Sequence, residues 1–328
     1  MPQPFSTLMH TWLYDDGGGY YTRAHVGMQG DFYTSVSTSA FFGGSLAFYL
    51  LKLLENGQLH IPLKIIEIGA HYGKLMGDVL SFLRALSQGV LEHVEFITLE
   101  PLESLRIIQA QHLARMGIKL TTLAALSDLR LSSDCSVFVY NNELWDSFPC
   151  EIVRGKQMLY IDHFKPLWIE KVQPSEIGCK PYWQPYVSTL VERLSHARAW
   201  VLASFDYGQY GARGQIDLRA YLQHRVLDFQ DILDNLEKLY QHTDLTYDVD
   251  FQSLEALFKL TGAYTLFYGT QSQALIHMGL AQLLELFEAH MPFSTYQREA
   301  FKARALLDPS AFGARFKALI SASYPTPL

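Results

Sequence analysis

The sequence predicts an α/β fold, a mostly parallel sheet with helices on both faces. Three observations predict it. Apolar runs of strand length, Leu63–Ile68, Val94–Leu99, Ser136–Tyr140 and Ala199–Phe205, alternate with segments of helical length. Such alternation calls for right-handed crossovers between parallel strands. The first run closes on an acid and a glycine turn, Glu67-Ile68-Gly69-Ala70-His71-Tyr72-Gly73, which reads as a strand–turn–helix joint. Hydrophobic residues make up 49% of the 328 positions and charged residues 18%, enough apolar mass for a large core and too much for a disordered chain.

The elements follow in order. A short helix spans Phe5–Tyr14, before the glycine-rich turn DDGGGYYTR. Thr34 or Ser35 is placed to cap a helix over Val36–Glu55, which Asn56-Gly57 ends. The strand Leu63–Ile68 leads to a helix over Gly73–Leu86. Val94–Leu99 leads to a helix over Leu102–Met116. A short strand at Ile118–Leu120 and a weak helix near Leu123–Leu129 precede the strand Ser136–Tyr140. EIVRGKQMLYIDHF then reads as a β-hairpin turning at Gly155-Lys156, with a further strand at Trp168–Val172. A helix over Trp183–Ser195 and the strand Ala199–Phe205 restore the alternation. Beyond Asp250 come a helix over Phe251–Thr261, a strand over Tyr264–Tyr268, and helices to the end. No linker is visible. The division is therefore an N-terminal helical segment, 1–60, and a core, 61–328, with an insertion at about 150–182.

Charge and composition exclude some classes. With 33 Asp and Glu against 26 Lys and Arg, the net charge is −7, and such a chain is a poor general binder of nucleic acid. The cysteines Cys135, Cys150 and Cys179 form no CxxC pair, and no ligand spacing supports a metal. The N-terminus lacks the pattern of a secretory signal, and the apolar stretches stop too early for a membrane span. A cytoplasmic protein with no membrane insertion is expected.

In an open parallel sheet, ligands bind beyond the carboxyl ends of the strands. Gly69 and Gly73 permit a tight turn and close backbone approach, and the helix starting near Gly73 offers free N–H groups. A nicotinamide cofactor asks for G-x-G-x-x-G, of which one glycine matches. S-adenosylmethionine asks for an acid and then G-x-G-x-G, which Glu67, Gly69 and Gly73 meet and His71 does not. A strand-to-helix turn with no ligand is the remaining alternative. Glu100, closing VEFITLEP, stands where an acid accepts hydrogen bonds from ribose hydroxyls. Asn141-Asn142-Glu143 follows the fourth strand. Glu143 is the candidate to orient a guanidinium by paired hydrogen bonds, against a loop that merely caps the next helix. Trp145 and Phe148 read either as an acceptor slot or as core.

Several segments together resemble one family, the MidA-like methyltransferases, related to a mitochondrial arginine methyltransferase that assists respiratory complex I assembly. They are YDDGGGYY, GDFYTS, EIGAHYGKL, LEPLESLRIIQ, NNELWDSFP, DYGQYGARGQIDLRAY, DLTYDVDF and GTQSQALIHMGL. The most specific are GDFYTS, the Asn142, Glu143, Asp146, Pro149 pattern, and Asp206-Tyr207-Gly208 followed by Leu218–Tyr221. The resemblance implies a Rossmann-like class I methyltransferase fold with a seven-stranded sheet, S-adenosylmethionine as cofactor and a protein arginine as acceptor, for instance on a complex I subunit. By position, Gly30, Asp31, Phe32 and Thr34 would close the cofactor site. Glu67, Gly69, Ala70 and Gly73 would form the glycine loop, Glu100 would take the ribose, and Asn141 would stand beside it. Asn142 and Glu143 would face the reacting centre, with Asp206 near the acceptor. The family usually has glycine or a small residue at the place of His71, and Pro-Glu at the place of Val36-Ser37. His71 motivates a second reading, a catalytically inactive binding or assembly factor on the same fold. The apolar faces of the helices from Ala281 onward fit a homodimer contact or a closed core.

Overall fold

A computed structural model of the chain describes residues 1–23, 35–171, 175–222 and 225–325. The chain groups into two units. The smaller comprises Met1–Tyr33, Trp145–Tyr186 and Tyr207–Leu254; the larger comprises Thr34–Leu144, Val187–Asp206 and Glu255–Leu328. This grouping cuts across the sequence-based division at residue 60, because the N-terminal helix belongs with the inserted strands.

The larger unit is built on a central sheet of β1 (Leu63–Ile68), β2 (Val94–Leu99), β3 (Leu120–Leu123), β4 (Ser136–Asn142), β5 (Ala199–Gln209), β6 (Tyr264–Thr270) and β7 (Phe316–Ala322). Their spatial order is β6-β7-β5-β4-β1-β2-β3; the last residues of β5, Gly208 and Gln209, belong to the smaller unit, where they pair with the two-residue strand Val249–Asp250. Strands β5, β4, β1, β2 and β3 run parallel, and β6 pairs antiparallel with β7. Strands buried on both faces read as continuous apolar runs, which is why β1, β2, β4 and β5 are conspicuous in the sequence. On one face Ile65, Phe138, Tyr140, Val201, Ala203, Phe205, Ala318 and Ile320 join a core completed by helices α1 (Phe41–Glu55) and α2 (Lys74–Leu86). Helix α3 (Glu103–Arg115) follows β2.

Four local expectations are corrected. The helix expected over Val36–Glu55 is two, Ser35–Thr38 and α1, separated at Ser39–Ala40, where the buried Ser39 hydroxyl takes the N–H of Phe41. The short third strand lies at Leu120–Leu123 rather than Ile118–Leu120, because its register against β2 is set by the pairing Phe96–Leu120. The weak helix after it is one 3₁₀ turn, Leu126–Asp128. The C-terminal region is not all helix: β7 inserts between β5 and β6.

The smaller unit holds two antiparallel sheets. In one, Gln157–Asp162 lies between Gln3–Pro4 and Cys150–Gly155, which pairs in turn with Glu176–Pro181, while Lys165–Glu170 also pairs with Gln157–Asp162. In the other, Arg219–Leu222 is flanked by Arg225–Leu227 and Asp244–Thr246; the sequence pattern gave these three strands no signal. The N-terminal helix Phe5–Tyr14 buries Phe5, Leu8, Met9, Trp12 and Leu13, one helical stripe. It is tied down by Ser6 Oγ donating to Glu151 at 2.6 Å and Trp12 Nε1 donating to the Thr243 carbonyl at 2.7 Å.

Candidate active site

The registers bring the carboxyl ends of four strands into line. Ile68 of β1 stands opposite Leu99 of β2 and Asn141 of β4, and Asn142 stands opposite Phe205 of β5. The segments that follow, Gly69–Gly73, Glu100–Leu102 and Glu143–Leu144, therefore leave the sheet at one edge.

The glycine loop turns through three left-handed residues: Gly69 (φ 71°), His71 (φ 46°) and Gly73 (φ 73°). At His71 a side chain occupies the conformation a glycine takes freely, at a cost of about 1–2 kcal/mol. The loop is pinned at each end: Gly69 N–H donates to the Leu99 carbonyl at 2.9 Å, and Gly73 N–H donates to the carbonyl of the buried Ala70 at 2.7 Å. His71 itself is held from two sides. Its N–H donates to the carboxylate of Glu100, and its carbonyl accepts from Gln109 Nε2 at 2.7 Å. The histidine ring packs edge-on against Tyr72 with centroids 4.0 Å apart.

Two buried acids flank the loop. Glu67 is 4% exposed and takes the N–H of Met76 in the first turn of α2. Burial pushes its pKa well above the usual carboxylate range, and Asp78 and Glu100 nearby push the same way. Among the described residues its buried Oε2 has no hydrogen-bond partner, a cost a ligand donor would relieve. Glu100 is 5% exposed, and burial raises its pKa to about 7 against the opposing N–H groups of Leu102 and His71 and the charge of Arg106. Leu102 N–H reaches its Oε1 at 3.2 Å.

On the β4 side, Asn141 Nδ2 donates to Ser204 Oγ at 3.0 Å, and Asn142 Nδ2 donates to Glu143 Oε1 at 2.8 Å. Both asparagine Oδ1 atoms are buried, with no partner among the described residues. Glu143 sits in a left-handed conformation (φ 55°), which a non-glycine residue keeps only when its surroundings over-determine it. Here β5 does so: Glu143 N–H donates to the Phe205 carbonyl at 2.9 Å, and Leu144 N–H donates to Asp206 Oδ2 at 3.1 Å.

Of the residues singled out from the sequence, Glu67, Gly69, Ala70, Gly73, Glu100, Asn141, Asn142, Glu143 and Asp206 all lie on this edge of the larger unit. Gly30, Asp31, Phe32 and Thr34 lie outside the described residues. Asp206 is fully buried and holds backbone. Within the smaller unit Trp145 is fully buried, stacked on Phe148 at 5.4 Å and edge-on to Trp183 and Tyr186, so Trp145 is core there. Sequence reasoning missed Gln109 and Thr98. The one signal for Gln109 was a polar residue on a helix position that faces inward. Among the described residues no group of three or more His, Cys, Asp or Glu could hold a metal ion, and no helix is long and apolar enough to cross a membrane.

Comparison with known proteins points the same way as the geometry. Residues 45–173 match a family described as "Putative S-adenosyl-L-methionine-dependent methyltransferase". A curated relative from Drosophila melanogaster, "Protein arginine methyltransferase NDUFAF7 homolog, mitochondrial", is 24% identical over 97% of this chain and 81% of its own. The protein of the same name from Caenorhabditis elegans is 24% identical over 71% of this chain and 62% of its own, so the match spans about three fifths of that relative. Among solved structures, a "likely methyl transferase" from Burkholderia thailandensis bound to S-adenosyl-homocysteine superposes with a TM-score of 0.78, at 22% identity, over 98% of this chain and 87% of that one. That likeness shows a shared fold. The resemblance carried by the sequence motifs is borne out.

Proposed function

We propose that this chain is an S-adenosylmethionine-dependent methyltransferase that transfers a methyl group to a protein arginine. The observation that carries the reading is the buried carboxyl of Glu67, one oxygen of which has no partner among the described residues, beside a glycine loop that keeps its left-handed turns even where histidine replaces glycine. The residues fit the cofactor. Gly69–Gly73 and the first turn of α2 would receive its amino-acid end and Glu67 a donor, while Glu100 would accept from the ribose hydroxyls. Asn141 adds, at the same edge, an acceptor with no partner among the described residues.

When bound, the cofactor supplies an electrophilic methyl on a sulfonium. The chain's own task is to hold the acceptor nitrogen in line with it. Glu143 Oε1 is fixed by Asn142, and the Glu143 carboxylate accepts N–H donors from the guanidinium, aligning its nitrogen and offering an oxygen to the proton that leaves after transfer. Asp206 acts on this centre through the backbone of Leu144. The arginine acceptor is supported by the names of the curated relatives. Linkage to respiratory complex I assembly, a complex I subunit as acceptor, a homodimer and a cytoplasmic location are parts of the same proposal.

The test is calorimetric titration with S-adenosylmethionine and S-adenosylhomocysteine, followed by transfer of labelled methyl to candidate acceptor proteins. Micromolar binding with label on arginine is expected. Binding without transfer to any acceptor would favour the non-catalytic assembly factor, and no binding by folded protein would remove the cofactor from the reading.

A further inference from the structure

His71 raises a specific problem. A residue with a Cβ stands in the left-handed turn of the loop, and something has to keep it there. Gln109, on α3, touches the loop twice. Its Nε2 donates to the His71 carbonyl at 2.7 Å. Its Cγ lies so close under Gly73 that a Cβ added there would sit 3.3 Å from it. Gln109 is fully buried, and its Oε1 accepts from the equally buried Thr98 hydroxyl at 2.7 Å. That second bond sets the amide's orientation: a hydroxyl donating to the oxygen leaves the NH₂ group facing the loop. On the other side of the same residue, the His71 N–H is taken by Glu100. Both backbone groups of His71 are thus satisfied by buried side chains in the left-handed turn observed.

We propose that Gln109 is a positioning residue for the cofactor loop: with Thr98 behind it, it clamps the carbonyl of His71 and so lets a histidine serve at a glycine position. This rests on the reading of the loop as the cofactor's cradle. The clamp is needed because of histidine. A glycine at position 71 would adopt the same turn without support, so the importance of Gln109 should depend on what stands at 71.

A double-mutant cycle tests this. S-adenosylhomocysteine affinity and urea midpoints are measured for the wild type, Gln109→Leu, His71→Gly and the double variant. Gln109→Leu should weaken binding about tenfold in the His71 background, the loss expected if the turn's strain is no longer held. In the His71→Gly background the loss should be under about threefold. Losing the Thr98 partner costs the same in both backgrounds and cancels in the comparison. Equal losses in the two backgrounds would overturn the clamp. If the wild type does not bind at all, the cofactor reading fails separately. The urea midpoints then decide alone: a larger shift in the His71 background supports the clamp and equal shifts overturn it. Gln109→Met, which nearly keeps the size and removes both amide groups, should behave as Gln109→Leu does.

Discussion

The carboxylate of Asp206 accepts the N–H of Leu144 at 3.1 Å, one residue past Glu143, whose own N–H reaches the Phe205 carbonyl at 2.9 Å. Strand β5 thus grips the turn that presents Glu143, alternating a main-chain and a side-chain acceptor. Asp206→Ala would leave the Leu144 N–H unsatisfied and is expected to cost about 1–3 kcal/mol of stability in urea unfolding. Asp206→Asn keeps an acceptor oxygen and should recover most of that loss. If both variants are as stable as the wild type, the grip is unimportant to the fold.

Glu143→Gln is expected to lower methyl transfer by about a hundredfold or more, in the range for a positioned proton acceptor, while S-adenosylhomocysteine affinity stays within about twofold of wild type. Single-turnover transfer and calorimetry on the same preparation separate the two. Unchanged transfer would take Glu143 out of the chemistry.

Glu100 gives a pH dependence with two opposite signs. Its folded pKa is raised by burial from 4.5 to about 7. The stability it contributes is therefore fully present below about pH 4.5 and is lost as pH rises through about 7, a change of about 3 kcal/mol at most. Cofactor affinity should run the other way, because ribose hydroxyls are best accepted by the charged carboxylate. From pH 8 to pH 5, the wild type should gain stability relative to Glu100→Gln and lose affinity for S-adenosylhomocysteine. Parallel pH profiles for the two proteins would refute both halves.

Gly208 stands at φ 154° in the smaller unit, and a Cβ there would meet the Val249 carbonyl oxygen at 2.1 Å. Gly208 is paired with Val249 in register, so the main chain itself would have to move. Gly208→Ala should cost about 3 kcal/mol or more, read as a lowered thermal midpoint or loss of soluble protein. A wild-type midpoint would mean that the pairing yields easily.

Much of this architecture was legible in the sequence, for identifiable reasons. Strands β1 and β2 and the helix Phe5–Tyr14 fall where the apolar pattern placed them, because strands buried on both faces and a one-sided helix leave strong local patterns. The loop and its acids were visible because glycine and carboxylate types are chemically specific. Strand β7 was not visible: its sequence, FKALISA, is rich in residues that favour helices, and pairing between two neighbours overrides that preference. The break at Ser39–Ala40 was hidden because the apolar pattern runs straight across it. Gln109 was hidden for another reason. Its meaning lies in what stands opposite, Thr98 on one side and the His71 carbonyl on the other, and neither contact leaves a local trace.

The place of β7 has a consequence in time. Strand β6 is made well before β7, and the helices of residues 271–307 separate them in the chain. Yet β7 must lie between β5 and β6. A nascent chain that has produced β6 therefore holds a strand with no neighbour to join, and β5 presents an unfilled edge. Until the Phe316–Ala322 segment arrives, each is a template for the wrong partner. Assembly of this half of the sheet waits until residues 316–322 have been made, and before then a chaperone would have the most to protect.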